Sequence, residues 1–265
     1  MPALQHARPF PATPPAGRPA APRPPTARRT VLVGGHESRY GLALGDLAES
    51  GWAAVTAVGR DLYALTMSPA VVVPMTLGRD AELASQIAQV LRWNGRDREP
   101  GELLLAPPLG TAAHLVGWLR AAAGRVTPPE PPGPCAAEPG AVLVTAPAAT
   151  AEEDAELFRV AHLVRRHSGL RWVEVALTDG DPDVEEGVSR CRLLGARHVT
   201  AVPASFERPP LPEDVTWAGP LLAPAALREL VGRRAEAARD RWERHGDDGL
   251  AAASGGHHHH HDHGH

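Results

Sequence analysis

Two halves of this chain carry the same succession of short apolar runs and helical segments, and that repetition fixes the architecture before any single residue is weighed. Each half opens with a run suited to a buried parallel strand, Thr30–Val33 and Ala141–Val144. Each has a later run that ends in proline, Val71-Val72-Val73-Pro74 and Val199-Thr200-Ala201-Val202-Pro203. Each then passes through a third apolar run into a helix, LLLAPPLGTAAHLVGWLR and WAGPLLAPAALRELVGRR. Thr30 and Ala141 are 111 positions apart, and Pro108 and Pro220 are 112 apart, as a duplication requires. Between the runs lie helical stripes. Leu83, Ile87, Val90 and Leu91 share one face of Ala81–Trp93, and Leu157, Val160, Leu163 and Val164 share one face of Ala151–His167. Asp183–Leu194 precedes Gly195, a suitable C-cap. Strands alternating with helices predict an α/β fold of two similar lobes, each a parallel sheet flanked by helices. A ligand then belongs at the carboxyl ends of the strands, between the lobes.

Proline marks the borders. Residues 1–29 are rich in Pro, Ala and Arg and are expected to be a disordered arm. Thr127 to Gly140 reads as a stiff linker. The expected organisation is therefore an arm (1–29), a first lobe (30–126), a linker (127–140), a second lobe (141–236), and a helical end with a histidine-rich tail (237–265).

Composition narrows the chemistry. The 27 basic side chains are all arginine, which excludes a lysine Schiff base and a P-loop lysine, and the net charge of −4 gives no reason to expect nucleic-acid binding. Cys135 and Cys191 are far apart and suggest neither a disulfide framework nor a thiolate metal site. No stretch is apolar and long enough to span a bilayer, and the start lacks an apolar signal region, so the cytoplasm is the expected compartment.

After the first strand comes Val33-Gly34-Gly35-His36-Glu37-Ser38-Arg39, which places a histidine at the sheet's carboxyl edge beside two glycines. Gly35-His36-Glu37-Ser38 resembles the Gly-His-Gly-Ser loop of the long-form sirohydrochlorin chelatases, the class II chelatases of the CbiX type, with Glu for the second glycine. Val72-Val73-Pro74-Met75-Thr76-Leu77-Gly78-Arg79-Asp80 and Ala106-Pro107-Pro108-Leu109-Gly110 are similar to that family's second- and third-strand segments. Val173-Glu174-Val175-Ala176, Asp183–His198 and Val199–Pro203 look like the same unit again. The resemblance covers nearly all of residues 30–234.

That resemblance implies a lyase that inserts cobalt or iron into sirohydrochlorin without ATP or an organic cofactor, for cobalamin or sirohaem synthesis. The divalent metal and the tetrapyrrole would be its partners, with no nucleic acid and no membrane involved. His36 carries over as metal ligand and base. The family's usual second histidine is missing from Gly78-Arg79-Asp80-Ala81-Glu82, and Asp80 is the replacement, as ligand and base or simply as a helix N-cap. Glu37 is a further ligand, a base or a solvent-facing residue. His114 is a third metal ligand or a helix-surface residue. Arg39, Arg79 and Ser38 are candidates for holding the tetrapyrrole, the arginines because guanidinium pairs with carboxylates. In the second half Pro147 is the counterpart of His36, so a single metal site belongs to the first lobe.

The chain ends with five consecutive histidines, His257–His261, followed by Asp262-His263-Gly264-His265, a tract suited to transition metals. A second reading is a non-catalytic chelatase-like fold used for metal storage or tetrapyrrole carriage. A two-lobed periplasmic binding protein is a third.

Overall fold

The computed structural model describes residues 28–126 and 140–254. The proline-rich arm, almost all of the linker with Cys135, and the histidine tail lie outside the described residues. The first half runs β1 (Arg29–Gly34), α1 (Gly45–Glu49), β2 (Ala54–Ala57), α2 (Arg60–Leu65), β3 (Ala70–Met75), α3 (Leu83–Asn94), β4 (Leu103–Leu105) and α4 (Ala112–Val126). The second runs β5 (Gly140–Pro147), α5 (Ala151–Ser168), β6 (Trp172–Thr178), α6 (Val184–Leu193), β7 (His198–Pro203), β8 (Val215–Trp217) and α7 (Pro224–His245). The strands form two parallel four-stranded sheets of matching topology, β2-β1-β3-β4 and β6-β5-β7-β8. The repeat in the sequence is thus a repeat in the fold.

Both faces of each sheet are covered, which is why the strands read as continuous apolar runs. The side chains alternate between two cores. Leu32, Val71 and Val73 point into a large inner core, and Val31, Val33 and Val72 into an outer one roofed by Leu62, Ile87 and Leu91. The second sheet sends Val142 and Val144 inward, while Ala141 and Leu143 face Val188 and Cys191. The inner core is shared. Leu115 and Leu119 of α4 and Leu157, Val160 and Val164 of α5 belong to it together with the inner residues of both sheets. Burying each large aliphatic side chain contributes roughly 1.5–3 kcal/mol, so this common layer binds the halves into one unit.

Helix α7 runs unbroken through position 236, where the sequence suggests the second lobe ends, and packs on β3 and β4 of the first sheet. Val231, Ala235 and Ala238 are its buried face. Beyond it the chain lies along the edge of β4, where Leu105 N–H donates to Asp248 O at 2.9 Å and Leu250 and Ala253 join the outer core. This covers an edge strand that would otherwise be open to pairing. Cys191 is buried in α6, and burial pushes its thiol up to about 11, so it is packing and not a nucleophile.

In both sheets the strand order reverses beside the first strand, between β1 and β3 and between β5 and β7. A crevice opens at such a point, outside the carboxyl ends of the strands. The loops after β1, β3, β5 and β7 are therefore where a site belongs.

Ala238 is fully buried between α7 and the first sheet. Ala238→Leu should lower stability by roughly 2 kcal/mol through overpacking, measured by urea denaturation. Unchanged stability would contradict close packing of α7 against β3 and β4.

Candidate metal centre

The loop after β1 turns sharply to present His36. Gly34 has no room for a side chain, because a Cβ there would overlap the Gly41 backbone and Ser38 Oγ. At Gly35 a Cβ would overlap the Asp80 carboxylate, so its bareness is what lets Asp80 approach. Past His36 the backbone is held in the left-handed region at Arg39 (φ 51°) and Tyr40 (φ 55°), before Gly41 at 96°. Two consecutive non-glycine residues in that region mark a strained loop of the kind that collects at functional sites.

Two carboxylates meet the imidazole. His36 Nδ1 lies 3.4 Å from Asp80 Oδ2 and 3.8 Å from Glu153 Oε1. Each acid also serves the start of a helix. Asp80 Oδ1 accepts the Leu83 N–H at the start of α3 (3.0 Å). Glu153 Oε2 accepts from the Thr150 N–H (3.1 Å) and hydroxyl (2.9 Å) in a capping box at the start of α5. One oxygen of each carboxylate is thus fixed by a helix terminus, and the other is aimed at His36. The three donor atoms lie within 4.8 Å of one another, the spacing of a cation site.

Adjacent residues carry the support. Glu37 is fully buried and accepts the Leu77 N–H (3.0 Å) and the Arg79 N–H (3.2 Å), pinning the loop after β3. Its own carbonyl accepts the Phe206 N–H of the second lobe at 2.9 Å. The Arg79 guanidinium is buried and crosses to the second lobe, donating to Pro147 O (3.1 Å) and Asp154 Oδ1 (2.9 Å).

The charges around His36 favour positive charge on or beside its ring. Burial raises the Glu37 pKa, against the pull of Thr76, His36 and Arg79. Burial works to lower the His36 pKa but is outweighed by the hydrogen bond to Asp80 and by the charges of Glu37, Glu153 and Asp80, so the net direction is upward. A lone pair on Nδ1 facing two carboxylate oxygens would be repelled. The arrangement therefore calls for positive charge at that point, either a proton on the imidazole or a metal ion shared by all three. His36 Nε2 is buried and has no hydrogen-bond partner among the described residues.

The structure brings His36 and Asp80 together; the N-cap of α3 is Glu82 and not Asp80, whose Oδ1 accepts the Leu83 N–H from two residues earlier while its Oδ2 faces His36. It places the other candidate residues outside that donor group. Glu37 does not reach the donor cluster, because its oxygens are spent on backbone N–H groups. Ser38 is buried and closes its own turn, donating to Gly35 O and accepting from Gly41 N–H, both at 3.1 Å, so it does not face a substrate. Arg79 is buried in an ion pair and is not a substrate arginine. Arg39 stays exposed and pairs through Nε with Glu207 Oε1 at 2.6 Å. His114 is exposed on α4, held by Thr111 Oγ1 (2.9 Å) and stacked on Trp118, and is not in the donor group.

The second lobe does contribute. Val33 pairs with Pro74 and Thr145 with Pro203, so the register matches Val33 to Thr145 and His36 to Ala148, not to Pro147. The missing donor lies one turn further on, at Glu153. Its signal in the sequence was Thr150-Ala151-Glu152-Glu153, a capping-box pattern directly after a strand.

Asn keeps an acceptor oxygen as Asp does, and Gln serves in a capping box. Asp80→Asn and Glu153→Gln should therefore keep the fold while each weakens Mn²⁺ binding by about tenfold or more. Titration followed by the Mn²⁺ paramagnetic resonance signal checks this, since carboxylates suit manganese better than a histidine tract does. Wild-type affinity in both variants would remove the acids from the site.

No family model matches the chain, and neither does any curated protein. Among solved structures, SirB from Bacillus subtilis with Fe³⁺ is similar over 84% of this chain and 100% of its own, with a TM-score of 0.50 and 13% identity. The sirohydrochlorin chelatase SirB from Bacillus subtilis subspecies spizizenii in complex with cobalt gives a TM-score of 0.48 at 13% identity, over 84% of this chain and 100% of that one. DR2241 from Deinococcus radiodurans, a multi-domain protein with structural similarity to chelatases, gives 0.42 at 19% identity over 79% of this chain and 55% of that one. The two parallel four-stranded sheets with their flanking helices make a chelatase-like fold.

Proposed function

We propose that the protein is a sirohydrochlorin chelatase that inserts a divalent metal, cobalt or iron, into the tetrapyrrole for cobalamin or sirohaem synthesis. The observation that carries this reading is the convergence of His36 Nδ1, Asp80 Oδ2 and Glu153 Oε1 at the junction of two chelatase-like lobes. One imidazole and two carboxylates neutralise and hold a divalent ion in a mixed nitrogen–oxygen set that suits cobalt and iron. Metal insertion releases two pyrrole N–H protons for each ion taken up. His36 and a carboxylate, freed as the ion passes to the macrocycle, are placed to take them. Arg39, exposed at the rim, would exchange Glu207 for a carboxylate of the substrate.

One observation favours the second reading, a metal-storage or carrier protein. The apolar cavity between the lobes, lined by Leu44, Leu47, Leu77, Phe206, Leu221 and Leu227, holds about 180 Å³, below the ~300–1,000 Å³ of ordinary ligand pockets. The side chains of His36, Asp80 and Glu153 are only 14%, 12% and 18% exposed. A macrocycle would have to part the lobes.

The test is anaerobic incubation with sirohydrochlorin and Co²⁺, followed by tetrapyrrole absorption. The wild type should outpace His36→Ala by at least tenfold. Because ligation needs the neutral imidazole and the His36 pKa is raised, its rate should climb with pH through neutrality and then level. A wild-type rate equal to that of the variant at every pH would leave storage as the function.

A further inference from the structure

The centre is built from three pairs of chain neighbours. His36, Asp80 and Glu153 supply the donors, and Glu37, Arg79 and Asp154, each one bond along the chain, supply a line of alternating charge from the first lobe to the second. Two of the donors come from the first lobe. Glu153 comes from the other, so its arrival depends on how the two loops are clasped.

We propose that the ion pair of buried Arg79 with half-buried Asp154 is the positioning element that delivers Glu153 to the cation, making affinity a property of the interlobe clasp as well as of the donors. This rests on the metal-centre reading above. Arg79 grips the connection between β5 and α5 at two points, Pro147 O and Asp154 Oδ1. Asp154 Oδ1 also accepts the Ala149 N–H at 3.1 Å, so one carboxylate oxygen ties the guanidinium to the turn that launches α5. Glu153 is the residue beside it, and its free oxygen meets the first lobe at His36. The planar guanidinium meets the two acceptors with separate nitrogens, Nη1 to Pro147 O and Nη2 to Asp154 Oδ1. The side chain is fully enclosed and its Nε has no partner. The grip is thus kept although it leaves one buried donor unmet, which general packing alone would not require.

The experiment is a double-mutant cycle on the full chain with Mn²⁺ as probe, folding being checked by circular dichroism. Asp154→Ala should weaken binding at least tenfold in the wild type and in the Asp80→Asn background, yet by less than twofold in the Glu153→Gln background, where there is no acidic oxygen left to position. Asp154→Asn, which keeps the Oδ1 acceptor, should recover most of the affinity. If Asp154→Ala does not fold, Asp154→Asn carries the same cycle with an expected loss of about threefold. An equal loss in all backgrounds, or none in the wild type, overturns the positioning role while the metal centre stands. Absence of Mn²⁺ binding by the wild type overturns both.

Discussion

The architecture of this protein turns on two carboxylates that each do two jobs. Asp80 and Glu153 sit at the starts of α3 and α5, where unpaired backbone N–H groups need acceptors. One oxygen of each acid meets that need, and the other points at His36. That anchoring removes the rotational freedom that a coordinating carboxylate would lose on binding an ion. A cation site made this way is rigid before any cation arrives.

The fold explains why these two helices face one histidine. Each sheet reverses its strand order beside its first strand, and the two reversals are turned toward one another across a common core. His36 follows β1, Asp80 follows β3, Glu153 follows β5, and Phe206, which holds the His36 loop through Glu37 O, follows β7. All four switch-point loops take part. Helix α7, returning from the second lobe onto β3 and β4, helps fix the angle at which the sheets meet.

The lobes, their parallel sheets and the place of His36 were legible in the sequence because they depend on local patterns, namely β-branched runs, helical stripes and a glycine pair after a strand. What was lost is what depends on contact across the duplication. Glu153 drew no reading at all from the sequence, since nothing in its own half points to a metal. Arg79 and Glu37 read as available charges, yet both are buried, the Glu37 carboxylate against the Arg79 backbone and the Arg79 guanidinium against the second lobe. Neither Pro147 nor Ala148, the match that the strand register gives, offers a donor at the place of His36, and Glu153 lies further along, in the first turn of α5. His114 failed for the opposite reason: it lies near the right strand end, but on the exposed face of α4.

The central claim is that one cation is held jointly by the two lobes. Crystals of the protein soaked in Co²⁺ and measured at the cobalt absorption edge test it most directly. An anomalous peak is expected about 2.1 Å from His36 Nδ1 and from a carboxylate oxygen of both Asp80 and Glu153. A cobalt ion bound through the first lobe alone, or absent from this junction while filling other positions, would contradict it.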